Sequence, residues 1–183
     1  TIVLQNLGYI SPLTFQVNTE VNGTEQMMIF QEDSRKELLE RSKRRDGPLF
    51  EGDESLLWSY KNFGTMTLGN LALSRFTNKK WFLNGDNAQN QVLSAYSLLQ
   101  KAYLERPSGN IIKLNSEESK TFEKYFFIVL SMNGEHGLRL HNRKFYFNSF
   151  LSEFEPVYYD GNLNLHEKID LEYVYLQDAF KNK

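Results

Sequence analysis

The chain has 183 residues, with 21 Lys+Arg against 23 Asp+Glu and no cysteine. The missing Cys excludes a disulfide scaffold, a cysteine-ligated zinc or iron–sulfur centre and a thiol nucleophile. The 40% apolar and 14% aromatic content supplies a core for one domain, and no run reaches the roughly 18 apolar residues of a membrane span.

Thr1-Ile2-Val3-Leu4-Gln5 lacks the basic region and apolar stretch of a signal peptide, so a soluble chain is expected, in the cytoplasm or associated with a cell envelope. The first residue is not Met, and the chain stops on Lys181-Asn182-Lys183, so a piece of a longer protein is expected. Thr14 to Val21 alternates apolar and polar residues like a half-buried strand. Asn22-Gly23 supplies the two positive-φ residues of a type I′ turn, and Thr24 to Gln31 returns as the partner strand. The turn explains Asn22-Gly23-Thr24 without treating it as a glycosylation sequon.

Ser34 and Glu37 fit a capping box for a helix over Ser34 to Arg44, with Leu38 and Leu39 as its apolar edge and Asp46-Gly47-Pro48 as its stop. Pro48 to Asn78 reads as loops, short helical turns and a small strand. A long helix opens at Asn84-Gly85-Asp86 and carries Val92, Leu93, Tyr96, Leu99, Tyr103 and Leu104 at helical spacing up to Pro107. A second follows Asn115 or Ser116, with Phe122, Tyr125, Phe126, Val129 and Leu130 on one side; both faces are wide enough to pack on each other. Two aromatic strands, Arg143 to Asn148 and Phe154 to Tyr159, form a second hairpin around Ser149 to Ser152. Leu171, Val174, Tyr175 and Phe180 mark a last helix. The order is that of an α+β fold with antiparallel sheets.

The second hairpin brings Asn142 and Asp160, which flank its strands, to neighbouring positions, with Cα atoms about 5 Å apart if directly paired. An amide oxygen and a carboxylate at a hairpin mouth make the kind of oxygen-rich site that Mg²⁺ accepts when phosphates and water complete its shell. The bland alternative is that both residues satisfy backbone groups at strand ends.

The stretch Glu135-His136-Gly137-Leu138-Arg139-Leu140-His141-Asn142-Arg143-Lys144-Phe145-Tyr146-Phe147, followed by Glu155-Pro156-Val157-Tyr158-Tyr159-Asp160-Gly161, resembles the catalytic loop, strand pair and metal-binding Asp of protein-kinase-like folds. It is most similar to the spore-coat CotH kinase family of bacteria and more loosely to HipA-type kinases. Leu7 to Thr14, the Asn22-Gly23 turn and Met28 to Glu32 resemble the segment that ends the small lobe of CotH-like proteins and enters the hinge. The resemblance implies a protein-kinase-like arrangement: residues 1–33 as the end of a small antiparallel-sheet lobe and the hinge, and 34–183 as a mainly helical large lobe with the catalytic-loop hairpin.

By the same resemblance, Asn142 and Asp160 are metal ligands for Mg²⁺ and ATP, Gln31 and Glu32 lie along the adenine edge, and Arg139 meets phosphate. The general kinase pattern puts its base five residues before the Asn, which here is Gly137. Either His136, the preferred candidate, or Glu135 substitutes in proton transfer from the adjoining positions, or catalysis is lost or altered. Arg143 and Lys144 are also near in sequence, but alternation sends them to opposite faces, so at most one enters the site. The Lys that pairs with nucleotide phosphates in kinases has no counterpart before Thr14.

Glu51-Gly52-Asp53-Glu54 reads as a solvated acidic turn. Glu37 and Glu40 interleave with the cations from Arg35 to Arg45, which argues against nucleic acid. His136, His141 and His166 match no zinc-helix spacing, and P-loop, dinucleotide-binding and hydrolase-elbow motifs are absent. The expected function is phosphoryl transfer to a protein or envelope-associated acceptor. The alternatives are a non-catalytic, pseudokinase-like binding domain and an envelope structural protein.

Overall fold

The computed structural model describes residues 1–52, 74–105, 116–139 and 142–166. The expected helix around Leu171 to Phe180 lies outside them. The described chain is mixed α+β, with one two-stranded and one four-stranded sheet, both antiparallel.

A short helix α1 (Ile2–Asn6) ends where Gly8, at φ 83°, lets the amides of Gly8 and Tyr9 bond back to the carbonyls of Gln5 and Leu4. Strands β1 (Thr14–Val21) and β2 (Thr24–Gln31) then pair from Thr14↔Gln31 to Val21↔Thr24, with Asn22 at φ 53° and Gly23 at φ 78° in the turn. Register and turn are those expected, but the half-burial is not. Phe15, Met28 and Phe30 share one face, with the Phe rings stacked at 4.8 Å, yet Phe30 is 49% exposed, and Met27 and Ile29 on the other face are more exposed still. Alternation therefore reported the pleat of this ribbon and not a contact with the core.

Helix α2 spans Lys36–Arg41, shorter than Ser34 to Arg44. Arg35 takes the N-cap position without a side-chain capping bond, so the capping box does not form; the Ser34 amide instead donates to Asp33 Oδ1 at 2.7 Å. The helix ends before Gly47-Pro48 because Lys43 adopts φ 58°, and the amides of Lys43 and Arg44 bond to the carbonyls of Glu40 and Leu39.

The main sheet runs β4 (Ser74–Phe76), β3 (Leu49–Gly52), β5 (Lys144–Asn148), β6 (Glu153–Val157). A one-turn helix α3 (Lys79–Phe82) leads to α4 (Asp86–Glu105), and α5 (Ser116–Ser131) precedes β5. One sheet face, with Phe50, Phe145, Phe147 and Phe154, packs with Val92, Ala95 and Leu99 of α4 and Phe122 of α5. The long helices thus share a core with the sheet as well as with each other. The opposite face buries Leu49, Tyr146 and Val157 against Leu38 and Leu39 of α2 and Ile10. Coverage on both faces explains why Leu49 and Phe50 are adjacent and both buried. Leu4 joins Tyr125, Val129, Leu138 and Tyr158 in a third cluster, and Ile10 bridges to Val157 in parallel, accepting the Tyr158 amide at 2.8 Å.

Burial pushes the phenols of Tyr146 and Tyr158 up to about 12 from an ordinary 10.0, and that of Tyr125 higher still. The unfolded phenols ionise first as pH rises, so their stabilising contribution is complete below pH 10 and is lost progressively up to about 12. Urea titrations are expected to show the midpoint falling across that window; a midpoint that stays flat from about pH 9 to 12 would contradict the burial of these rings.

Candidate functional site

The end of α5 and the end of β6 meet beneath the second hairpin. Asn133, at φ 56°, closes α5 by bonding its amide to Leu130, and the Gly134 amide bonds to Val129. The chain then makes a tight 3₁₀ turn, Glu135–Leu138. The Arg139 carbonyl accepts the amides of Asn142 (2.9 Å) and Arg143 (3.1 Å), which returns the chain into β5. On the other strand, Asp160 (φ 42°) and Asn162 (φ 47°) flank Gly161 and turn the chain away from the sheet. The two turns touch at Gly137. A Cβ built there would stand 2.6 Å from the Tyr159 carbonyl oxygen and 3.0 Å from Gly161 Cα. Glycine at this position is required by space.

That contact holds three of the candidate residues together. His136 Nε2 lies 3.3 Å from Asp160 Oδ2, and Asn142 Nδ2 donates to the His136 carbonyl at 3.0 Å. Asn142 is 4% exposed, whereas the Asp160 side chain is 52% exposed. The β5–β6 ladder stops at Lys144↔Val157; continuing its register puts Tyr159 opposite Asn142. Asn142 and Asp160 are therefore linked through His136 and not as a strand pair. The Asn142 amide also does what strand-end residues ordinarily do, satisfying a backbone carbonyl.

The remaining candidates divide. Glu135 and Arg139 pair with each other, Nε–Oε1 and Nη2–Oε2 both at 3.3 Å. Gln31 ends β2, and Glu32 closes the base of the first hairpin: its amide donates to Leu13 O (2.8 Å), while its carboxylate accepts from the Leu13 amide (2.9 Å) and from Arg41. Arg143 is buried, donates from Nε to Leu138 O at 2.7 Å, and lies 5.0 Å over the Phe126 ring. Lys144 goes the other way, as alternation requires. Its Nζ is 3.2 Å from Glu51 Oε2 and 3.7 Å above the centroid of Tyr159. Glu51 is no solvated turn: it lies in β3, and its Oε1 also pairs with Arg75 at 2.6 Å. Sequence reasoning missed this partnership because β3 was not legible as a strand; the register Glu51↔Lys144 creates it.

Among the described residues no group of three or more His, Cys, Asp and Glu side chains is placed to hold a metal ion. The donors present, one amide oxygen and one carboxylate, suit a hard cation that takes most of its ligands from phosphate and water. The Asn142 Nδ2 bond to His136 leaves Oδ1 as the side-chain atom of Asn142 with lone pairs for a cation. Among the described residues no helix is long and apolar enough to cross a membrane. No model of a known protein family matches the chain, and no curated protein matches it.

Proposed function

We propose that the chain is a CotH-like kinase domain that binds a Mg²⁺–nucleoside triphosphate and transfers the terminal phosphoryl group to a hydroxyl of a protein or envelope-associated acceptor. Residues 1–33 would be the end of a small lobe and its hinge, with Gln31 and Glu32 at the adenine edge; 34–183 would be the large lobe. The observation that carries this reading is the junction at His136, whose imidazole faces Asp160 and whose carbonyl holds Asn142. In this reading Asn142 Oδ1 and Asp160 hold Mg²⁺, which neutralises phosphate charge when bound. The acceptor oxygen forms a bond to the γ-phosphorus, the bond from that phosphorus to the β–γ bridging oxygen breaks, and the hydroxyl proton passes to His136. Phosphoryl transfer depends mainly on positioning and charge neutralisation, so an imidazole one residue away from the usual position of the aspartate is compatible with it.

A second reading, a pseudokinase-like domain that binds nucleotide or a partner without transfer, is favoured by Gly137. Five residues before Asn142 there is no room for any side chain. Transfer of γ-phosphate from ATP separates the two readings. Asp160→Ala is expected to lower transfer at least 100-fold and His136→Ala about 10- to 100-fold. Transfer unchanged in Asp160→Ala would reject the metal role. Nucleotide binding without any transfer would favour the second reading, and no effect of Mg²⁺ and ATP on the melting temperature would reject both.

A further inference from the structure

We propose that Lys144, held by Glu51 over the Tyr159 ring, grips the phosphate chain of the nucleotide, so that the site selects nucleoside di- and triphosphates over nucleosides. The inference rests on the nucleotide-binding reading above and adds the group that recognises the phosphates. Three cations lie close to Asn142 in the chain. Arg143 is consumed by the Leu138 carbonyl and the Phe126 ring, inside the protein. Arg139 is engaged by both oxygens of Glu135. Lys144 opens β5 two residues after Asn142 in the chain and points away from the side taken by Arg143. Its Nζ rests on the ring of the residue immediately before Asp160. The ammonium is thus next in the chain but one to Asn142 and in contact with the neighbour of Asp160, at the end of the hairpin where both residues assigned to the metal lie.

The local chemistry leaves the ammonium a use. Nζ carries three N–H donors; it pairs with Glu51 Oε2 at 3.2 Å, and the face of Tyr159 lies under it at 3.7 Å. These two neighbours do not use all three donors, which leaves capacity for a ligand oxygen. Glu51 divides its carboxylate between Lys144 and Arg75, so it holds the ammonium in place without the full neutralisation that a private partner would give. A side chain only 11% exposed in such a setting is restricted to few rotamers, which reduces the entropy lost when it binds an anion. The Tyr159 ring offers a flat surface beside it for a ribose or base.

The test is binding, measured by calorimetry with MgATP, MgADP and adenosine on the protein and on Lys144→Met, Lys144→Arg and Glu51→Gln. Lys144→Met is expected to weaken MgATP and MgADP about 10- to 100-fold while changing adenosine less than about twofold. Lys144→Met keeps an unbranched stem, so its loss reports the charge and not the packing; Lys144→Arg is expected to recover most of the loss, and Glu51→Gln to fall between. Equal MgATP affinity in Lys144→Met and the parent overturns this proposal while leaving the kinase-like reading standing. Failure of the parent to bind any of the three ligands overturns both. If Lys144→Met does not fold, the ¹⁵N resonance of Lys144 Nζ in the unsubstituted protein decides: it is expected to shift with MgADP and not with adenosine, and an unmoved resonance at saturating MgADP overturns the proposal.

Discussion

Gly137→Asp, which would restore an acid at the position where kinases carry their base, is expected to damage the protein and not to activate it. A Cβ at this position meets the Tyr159 carbonyl oxygen at 2.6 Å, Gly161 Cα at 3.0 Å and Gly161 N at 3.2 Å. All three are backbone atoms, so no rotamer change relieves the clash. Overpacking of this kind costs about 1–3 kcal/mol for small additions, and a carboxylate forced into the same gap costs more. Gly137→Ala is expected to lower the melting temperature by about 4–10 °C, at roughly 2–4 °C per kcal/mol for a chain of this size, and Gly137→Asp by a larger margin. The displaced segment carries Asp160, so the His136–Asp160 approach of 3.3 Å would open and nucleotide binding would fall with stability. Thermal unfolding and nucleotide titration of both variants check this. A Gly137→Asp protein as stable as the parent and faster in phosphoryl transfer would show that the base position is accessible and that the tight contact between the two turns is not required.

Arg143→Met is expected to cost about 2–3 kcal/mol, because the buried Leu138 carbonyl loses a charge-assisted donor and nothing replaces it. Methionine keeps the length of the side chain and a favourable contact with Phe126, so the loss reports the polar contacts of the guanidinium, the bond to Leu138 among them. Arg143→Lys is expected to lie between, since an ammonium keeps the charge but not the guanidinium's planar stacking on the ring. Arg139→Met provides the contrast. Arg139 is itself exposed and its partner Glu135 half-buried; pairs open to solvent on one side contribute about 0–1 kcal/mol, so this variant should unfold near the parent's midpoint. Urea unfolding of the three variants orders them. Arg143→Met within about 0.5 kcal/mol of the parent would mean that Leu138 finds another donor and that the arginine does not anchor the turn carrying His136.

The parts of the fold that were legible in the sequence are those whose cause is local. Asn22-Gly23 sets the register of β1 and β2 because both residues accept positive φ. The spacing of Phe122, Tyr125 and Val129 marks α5 because one helical face meets the core. The aromatic strands β5 and β6 and their four-residue connection were equally plain. What was hidden depends on partners distant in sequence. Leu49 and Phe50 show no alternation because β3 is covered on both sides, so the small strand expected between Pro48 and Asn78 had no fixed position and its central place in the sheet was not visible. The Ser34/Glu37 pattern was present but unused, because Asp33 and the left-handed Lys43 define the ends of α2 instead. At the candidate site, chain order brought Asn142 and Asp160 to one end of a hairpin. Only the fold makes His136 the link between them and sets Lys144 against Glu51. Gly137, which looked like a lost functional group, is explained by a neighbouring carbonyl that no linear pattern announces.

The two sheets differ in how they guard their margins. The outer side of β6 is blunted by Ile10, which bonds to Tyr158 and so occupies a place where a foreign strand would dock. The ribbon of β1 and β2 has no such shield among the described residues, and it displays Met27, Ile29 and Phe30 to solvent. Unguarded backbone beside exposed apolar side chains is the usual seed for strand-by-strand self-assembly. Concentrated preparations of this chain would therefore begin to aggregate at the first hairpin, and a lysine or proline on its rim is the conservative remedy for crystallisation or spectroscopy.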